Sequence, residues 1–384
     1  MRAALPWYRL GLFYAFYFAI IGLMMPYWPL YLAQWGLSAV HLSWMVMAAA
    51  MTRILAPNLW AWWADRHGRY LHSVRVAALA AAMSAAAWSL LPRSPLLLLL
   101  MVLFNFFQNA MLAQFEVVAL HWLGRQHHRY GHVRLYGSLA FMLTSLLWGM
   151  SMVQHMALLP WALCALCVAL YLLCRQIPEV SGVITPRRSS TRPAWNRALS
   201  VFFAVNVLQQ MAHGAYYTFY SLYLQDRGHG LPFIGFAWAL AVAAETLLFA
   251  FLPRYIVAIS DRRLFNWCLG LSLGRWLLIA VAQPWASLLL IAQLLHAASF
   301  AGFHLAGIRY VHQHFAAGSQ GLGQALFSAS GFGLGGVLGA ALAGWMWGLG
   351  ESLTFVMAAC VSAIAWGLWW AYGVEGQASA RLAR

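Results

Sequence analysis

Long apolar runs recur along the whole chain and alternate with short polar stretches. Each run is about twenty residues long, which is the length that an α-helix needs to cross the hydrocarbon core of a bilayer. Backbone polar groups in lipid must form hydrogen bonds within the protein, so uninterrupted runs of this length predict helices. We predict twelve transmembrane helices, at residues 9–33, 41–63, 73–91, 95–119, 135–153, 158–174, 198–224, 232–253, 265–283, 286–309, 322–348 and 352–373.

The composition agrees with a protein that is surrounded by lipid. Of the 384 residues, 63% are hydrophobic and 8% are charged, whereas soluble domains are about half apolar and about 25% charged. A soluble core of this size could not bury so much apolar surface. The predicted fold class is therefore an all-α membrane protein, and the lipid bilayer is its expected surrounding.

Positive charge is concentrated on one side of the predicted helices. The net charge of +15 arises from 23 basic residues, all arginine, against 8 acidic residues. Nineteen of the 23 arginines fall in loops, tails or helix ends that are cytoplasmic if the N-terminus is cytoplasmic. This positive-inside asymmetry explains the charge without a nucleic acid partner. We predict a multi-pass protein of the bacterial inner membrane with both termini in the cytoplasm.

The longest polar stretch divides the chain into two halves of six predicted helices each. It reads RQIPEVSGVITPRRSSTRPAWNR and has the Pro-, Ser- and Arg-rich composition of a linker. WADRHGR follows helix two and ISDRR follows helix eight, so an acidic–basic turn recurs in each half. Such weak internal symmetry is typical of transporters, whose substrate site lies between the repeats. The predicted domains are an N-terminal half (1–174), a cytoplasmic linker (175–197) and a C-terminal half (198–384).

Several predicted helices carry polar side chains along one face. A single Asn or Gln in a membrane helix often only bonds a neighbouring helix. Stripes on helices one, four, seven and ten together favour a shared aqueous cavity. The members are Tyr14, Tyr17, Tyr27 and Tyr31 in helix one, Asn105, Asn109 and Glu116 in helix four, Asn206, Gln210, His213, Tyr217 and Tyr220 in helix seven, and Gln293, His296, Phe300 and His304 in helix ten.

Ionisable side chains occur inside the predicted spans, where each costs at least about 2.5 to 3.5 kcal/mol on insertion scales. Two interpretations are open. Arginines and carboxylates could form buried pairs that fix helix register. Alternatively, the arginines bind an anionic or hydroxylated solute, and a carboxylate, whose proton affinity rises in apolar surroundings, loads and releases a proton. The residues are Arg53, Glu116, Glu245 and Arg275, with Arg134 just inside helix five.

Three histidines lie on the predicted cavity faces, namely His213, His296 and His304. Histidine titrates near physiological pH, so these residues could relay protons or bind substrate. A metal site at His296 and His304 would need further ligands, and the sequence suggests no third one. We therefore expect no metal.

The loop ADRHGR (residues 64–69) resembles the motif G-x-x-x-D-R-x-G-R, which follows helix two in the major facilitator superfamily. Ala61 stands at the position of the leading glycine. Along its whole length the chain also resembles the phenylpropionate permease-like group, relatives of lactose permease, which implies the major facilitator fold. The segments that carry this resemblance are RILAPNLWAWWADR, YGHVRLYGSLAF, HGAYYTFYSLYL, GFAWALAVAAE, GRWLL, QLLHAASFAGFH and QALFSASGFGLGGVLG.

The resemblance implies roles for individual residues. Glu116 and Arg134 match the carboxylate and arginine that bind substrate in lactose permease, and Gly131 and Gly137 flank Arg134 in the pattern G-x-x-R-x-x-G. Phe141 stands where that permease stacks an aromatic ring on its sugar.

The resemblance also implies a proton-coupling set. Glu245 matches a carboxylate shared between substrate binding and proton coupling, and Arg275 and His296 match members of the coupling network. Ser299 stands where lactose permease has its principal proton-carrying carboxylate. We therefore expect Glu245 or Glu116 to carry the proton instead.

These observations lead to one functional hypothesis: a proton-coupled symporter that imports a small, phenylpropionate-like aromatic carboxylate by alternating access. We expect a monomer without a cofactor, with the proton as coupling ion. The predicted substrate-binding residues are Glu116, Arg134, Phe141, Arg53, His213, Asn109 and Tyr217. The predicted proton-coupling residues are Glu245, Arg275, His296 and His304. The predicted gating loop, where charge pairs and helix-end dipoles would lock one state, consists of Asp65, Arg66, Gly68 and Arg69.

The alternative substrate is a sugar or nucleoside, whose hydroxyl groups Glu116 and Arg134 would bind. A membrane enzyme would need a nucleophile with its base, a phosphate-binding loop or a metal cluster. The glycine-rich GFGLGG (residues 331–336) lies inside a predicted span with no strand before it, so close helix packing explains it better than nucleotide binding. We therefore expect no enzymatic activity.

Overall fold

The protein is seen here in a computed structural model that describes residues 7–91, 96–151, 155–180, 195–256, 258–282, 285–316 and 319–373. All regular secondary structure in these residues is helical, and it consists mainly of twelve long helices, which confirms the predicted fold class. They are α1 (Trp7–Gln34), α2 (Ala39–His67), α3 (Tyr70–Leu90), α4 (Leu97–Leu123), α5 (Tyr130–Ser151), α6 (Leu159–Arg175), α7 (Arg197–Asp226), α8 (Leu231–Ile256), α9 (Asp261–Val281), α10 (Ala286–His314), α11 (Gln320–Trp347) and α12 (Glu351–Tyr372).

Eleven segments of the described chain are long and apolar enough to cross a bilayer, and α7 is the long helix that is not among them. It has 30 residues, which is more than enough length. Its polar face lowers its hydropathy, since Asn206, Gln209, Gln210 and His213 occur within eight consecutive positions. A helix of this composition is suited to the interior of a bundle rather than to lipid.

The chain forms two compact units. Unit 1 comprises Met1–Ser38, Met51–Pro186 and Leu224–Ala239, and unit 2 comprises Ala39–Ala50, Arg187–Tyr223 and Leu240–Arg384. Helices α2, α7 and α8 therefore contribute residues to both units. The division into two halves at a linker stays a prediction, because residues 181–194 of that linker lie outside the described residues.

In unit 1, α1 and α5 approach each other closely through small residues. A Cβ atom at Gly22 would lie 2.8 Å from the carbonyl oxygen of Phe141, so glycine is needed there. The Ser145 hydroxyl donates a hydrogen bond to the Gly22 carbonyl (3.0 Å), and the Tyr27 hydroxyl donates one to the Ser145 carbonyl. Small residues and interhelical hydrogen bonds are the usual means of packing membrane helices. This contact fixes α1 against the face of α5 that carries Arg134.

The N-terminus of α3 is held to the end of α6. The backbone N–H groups of Leu71 and His72 donate to the two carboxylate oxygens of Glu179, at 2.7 and 2.9 Å. The first N–H groups of a helix have no partner within the helix, and a carboxylate at this end also interacts favourably with the helix dipole. Arg75 of α3 donates to the carbonyl groups of Cys174 and Ile177, at 3.1 and 2.8 Å. The segment that follows α6 therefore accepts hydrogen bonds from the first N–H groups of α3, and Arg75 of α3 donates to carbonyl groups at the end of α6 and just after it.

In unit 2, two helices contain π-helical turns that the sequence pattern does not predict. They lie at Ala297–Gly302 within α10 and Ala329–Gly335 within α11. Asn206 of α7 donates hydrogen bonds to the Phe327 carbonyl and the Ser330 hydroxyl, both at 2.8 Å, next to the second turn. Such turns often mark functional sites in helices. The first begins directly after His296 and includes Ser299.

Candidate functional site

Arg134 is a cation of unit 1 that contacts aromatic rings. Helix α5 begins at Tyr130, so Arg134 lies in its second turn rather than at its edge. The guanidinium carbon lies 4.1 Å from the centroid of the Phe18 ring and 5.4 Å from that of Tyr14. Among the described residues, Arg134 has neither a hydrogen bond nor an ion pair. Its contacts with aromatic faces leave its N–H groups available to a ligand.

Glu116 of α4 is bonded to a tyrosine of α5 rather than to Arg134. Its Oε1 atom accepts a hydrogen bond of 3.0 Å from the hydroxyl of Tyr130. No ion pair within 4.0 Å joins Glu116 to Arg134 or to another described residue. The two residues are nevertheless neighbours, because Arg134 lies over the Tyr14 ring and that ring contacts the ring of Tyr130, which bonds Glu116. Arg53 of α2 is exposed, and its part in substrate binding stays a prediction.

The other two predicted binding residues of unit 1 are more firmly packed. The side-chain amide of Asn109 donates to the Thr52 hydroxyl at 2.8 Å and so links α4 to α2. Phe141 is buried, with 4% of its surface exposed, against the α1 contact at Gly22. A role for either residue in substrate binding stays a prediction.

In unit 2, Glu245 and His296 form a close pair. Glu245 Oε1 of α8 lies 2.7 Å from His296 Nε2 of α10, and the two side chains are 15% and 5% exposed. The His296 ring stacks on Phe300 at 5.2 Å. At this distance a proton must lie between the oxygen and the nitrogen, because each atom otherwise presents a lone pair.

Arg275 lies in the same cluster but pairs with neutral groups. It is fully buried, and its guanidinium carbon lies 4.3 Å from the Tyr216 ring centroid and 4.4 Å from that of Trp276. Its Nε atom donates to the Ala292 carbonyl (3.1 Å) and its Nη1 atom to the Ser299 hydroxyl (3.3 Å). Among the described residues no carboxylate lies within ion-pair distance of it. The serine at position 299 thus contacts the buried arginine directly.

His213 extends this cluster toward α7. Its ring centroid lies 5.9 Å from that of His296 and 6.0 Å from that of Tyr217. Its Nδ1 atom lies 2.8 Å from the Gln209 carbonyl oxygen. The Gln209 side chain donates to the Ser272 hydroxyl (2.9 Å) and to the Ser299 carbonyl (2.7 Å). His213 and Tyr217, which were predicted to bind substrate, therefore adjoin the predicted proton-coupling residues.

His304 lies two turns further along α10 than His296. Its ring lies 5.6 Å from that of Phe327 and 6.2 Å from that of Phe332, both on α11. These contacts associate it with the second π-helical turn, and its part in proton coupling stays a prediction.

The predicted gating loop contains a tight turn, and its part in gating stays a prediction. Gly68 has φ +62°, which allows α2 to end and α3 to begin within three residues. Asp65 accepts a hydrogen bond of 2.5 Å from the Tyr70 hydroxyl, and in the described chain it pairs with neither Arg66 nor Arg69. Arg66 lies over Trp62 at 5.8 Å, and the Arg69 N–H donates to the Ala64 carbonyl at 3.3 Å. The turn at Gly68 brings Tyr70, the first residue of α3, next to Asp65.

The corresponding turn before α9 does contain an ion pair. Asp261 is fully buried, and Arg309 of α10 contacts its Oδ1 atom through Nε at 2.6 Å and through Nη2 at 2.5 Å. The Nη2 atom of Arg309 also donates to the Ile259 carbonyl at 3.0 Å. The two acidic–basic turns are therefore alike in sequence and different in their contacts.

Comparison with known proteins decides the family. The model of the MFS_1 like family matches residues 7–359 of the chain. The chain belongs to this family of major facilitator transporters. It is accordingly a multi-pass membrane transporter of small molecules and not an enzyme.

Named relatives of this MFS_1-like transporter include a protein of Escherichia coli (strain K12) described as "Probable 3-phenylpropionic acid transporter". The two are 30% identical over 315 residues, which cover 79% of this chain and 81% of that protein. A maltose permease of Geobacillus stearothermophilus is 25% identical over 301 residues, which cover 74% of this chain and 75% of the permease.

Solved structures of other transporters share the fold. The nucleoside transporter NupG has a TM-score of 0.82 at 13% identity and covers 95% of this chain and 98% of its own. A D-xylose-proton symporter has a TM-score of 0.70 at 15% identity, over 96% and 97% of the two chains. At these identities the likeness concerns the fold alone.

The sequence analysis did not identify three residues that contact the predicted site residues, namely Phe18, Tyr130 and Gln209. Each lies four positions from a residue that was singled out: Phe18 from Tyr14, Tyr130 from Arg134 and Gln209 from His213. Residues four apart share a helix face. Examining the neighbours at this spacing around each membrane-embedded charge or polar group would have revealed them.

Proposed function

We propose that this transporter is a proton-coupled symporter that imports a small aromatic carboxylate, phenylpropionate-like in size, by alternating access. The coupling ion is the proton, and no other cofactor takes part. The protein acts as a monomer in the bacterial inner membrane with both termini in the cytoplasm, and nucleic acid is not among its partners.

The observation that carries the proposal is the state of Arg134. This permanent cation lies in a membrane span on the face of Phe18, without an acidic partner among the described residues. A substrate carboxylate supplies what is absent, because a guanidinium can hold both of its oxygens with parallel hydrogen bonds. A neutral sugar would leave the charge uncompensated, which is costly in a membrane. The half-buried ring of Phe18 gives an aromatic substrate apolar surface to contact.

The observation that supports proton coupling is the Glu245–His296 pair. Its 2.7 Å contact holds a proton between two groups that both exchange protons, in a largely buried position. Arg275 and His213 add two basic groups nearby. The Escherichia coli relative described as a probable 3-phenylpropionic acid transporter supports the substrate class.

A sugar or nucleoside remains the second candidate, because the Glu116 carboxylate and Tyr130 hydroxyl are groups that bind sugar hydroxyls well. Proteoliposome uptake separates the two candidates. Labelled phenylpropionate should accumulate when an inward proton gradient is imposed and should leak out when a protonophore collapses it. Unlabelled phenylpropionate should compete, whereas its neutral amide, maltose and uridine should not. Competition by maltose or uridine, or uptake indifferent to the gradient, would contradict the proposal.

A further inference from the structure

Glu116 and Arg134 carry opposite charges in the same unit and yet remain unpaired. Arg134 lies over the Tyr14 ring, and that ring contacts Tyr130, whose hydroxyl bonds Glu116. Attraction between opposite charges is much stronger in apolar surroundings than in water. Nevertheless, no atoms of the two groups come within 4.0 Å. The Glu116 carboxylate must therefore be stabilised in its position by another contact.

Tyr130 supplies that contact. Its hydroxyl donates the one hydrogen bond that Glu116 receives from the described residues. Tyr130 lies four positions before Arg134, so the two side chains share one face of α5. The Tyr130 ring meets the Tyr14 ring edge-on at 6.3 Å, and Tyr14 meets Phe115 edge-on at 5.8 Å. Because Phe115 directly precedes Glu116, this packing holds the phenol at a fixed place relative to the carboxylate.

We infer that Tyr130 is a positioning residue that keeps the substrate site selective for anions by holding Glu116 away from Arg134. Without the hydroxyl, Glu116 would lose its donor and turn to the Arg134 guanidinium, which lies on the same face of α5 as Tyr130. The internal ion pair would then compete with a substrate carboxylate for the same N–H groups. This inference rests on the function proposed above, because it assigns Arg134 to the substrate carboxylate.

A double-mutant cycle tests whether Tyr130 acts through Glu116. We expect Tyr130→Phe to raise the KM for phenylpropionate about tenfold with little change in kcat, because substrate binding must break an internal ion pair. In a Glu116→Gln background, where no carboxylate competes, the same substitution should change KM less than about twofold. Tyr136→Phe is the matched control on α5, since the Tyr136 ring packs on Trp7 and Gly11 instead. It should leave KM unchanged.

Two results of this cycle would overturn the inference. An unchanged KM in Tyr130→Phe would mean that the hydroxyl does not restrain Glu116. An equal rise in KM in the Glu116→Gln background would mean that Tyr130 acts by packing or by direct contact with the substrate.

A second measurement does not depend on the identity of the substrate. Phenylglyoxal modifies arginine side chains, and peptide mass spectrometry can follow Arg134 alone. Modification of Arg134 should be several-fold slower in Tyr130→Phe than in the wild type, because a carboxylate occupies its N–H groups. It should return to the wild-type rate in Tyr130→Phe/Glu116→Gln. If modification of Arg134 is slower in Tyr130→Phe while the wild type does not transport phenylpropionate, the proposed function is wrong and the positioning role stands. If Arg134 is modified equally fast in Tyr130→Phe and in the wild type, the positioning role is wrong.

Discussion

The carboxylate of Glu245 lies 2.7 Å from Nε2 of His296, and the contact joins α8 to the residue that directly precedes the π-helical turn of α10. The pair thus links two ionisable side chains to an irregular backbone segment. Ser299, within that segment, accepts a hydrogen bond from Arg275. Glu245 is therefore connected to this turn through His296, and Arg275 contacts the same turn through Ser299.

Replacing Glu245 with glutamine should uncouple transport from the proton gradient. Glutamine has nearly the same shape but cannot bind and release a proton. We expect Glu245→Gln to exchange labelled for unlabelled phenylpropionate across the membrane, while gradient-driven uptake stops once the internal and external concentrations are equal. Exchange and accumulation are measured in the same proteoliposomes. The control is Glu351→Gln, which changes the carboxylate at the first residue of α12. Unchanged accumulation in Glu245→Gln would contradict a coupling role for Glu245.

Replacing Arg134 with lysine should weaken substrate binding although the positive charge is retained. Lysine offers a point charge without the planar fork and stacks less well on Phe18. Loss of one charge-assisted hydrogen bond, about 1.5 to 3 kcal/mol, should raise the KM for phenylpropionate roughly tenfold or more. Arg262→Lys is the control, because Arg262 is exposed and donates to the Trp370 carbonyl at the end of α12. A KM that is equal in both variants would show that the guanidinium does not hold the carboxylate.

The two glycines that flank Arg134 should respond differently to alanine. A Cβ atom at Gly137 would lie 2.7 Å from Cδ2 of Phe18, whereas one at Gly131 would meet no atom within 4 Å. Gly137→Ala should therefore push the Phe18 ring from beneath Arg134 and weaken phenylpropionate binding about fivefold, for a packing cost near 1 kcal/mol. Gly131→Ala should bind normally. Binding can be measured by the thermal shift that the ligand produces, and equal affinity in both variants would contradict this account of the site.

The membrane-embedded charges could be found from the sequence because their cost depends on burial in lipid and not on which helix packs against which. Glu116, Arg134, Glu245 and Arg275 were all recognisable for this reason. Their partners were not, because the partner depends on the rotation and register of each helix. Glu116 meets Tyr130 rather than Arg134, and Arg275 meets Ser299 rather than a carboxylate.

The π-helical turns show the same limit at the level of the fold. Twelve helices follow from the length and hydropathy of the runs, and the structure contains them. The turn at Ala329–Gly335 adjoins the hydrogen bonds that Asn206 of α7 donates to Phe327 and Ser330, more than a hundred residues away in the chain. A local hydrophobic pattern contains no information about such a contact.

The two acidic–basic turns should differ in their importance for stability. Asp261 is fully buried against Arg309, whereas Asp65 is exposed and bonded to Tyr70. Asp261→Asn leaves a partly buried arginine without its carboxylate and should destabilise the protein by about 3 kcal/mol. Asp65→Asn should cost about 1 kcal/mol or less, because it weakens one hydrogen bond at the surface. Unfolding of the purified protein in detergent, followed by tryptophan fluorescence, measures both effects. Adding Arg309→Gln to Asp261→Asn removes the unpaired charge and should recover part of the loss; a double variant less stable than Asp261→Asn alone would mean that Arg309 stabilises the fold mainly through the Ile259 carbonyl.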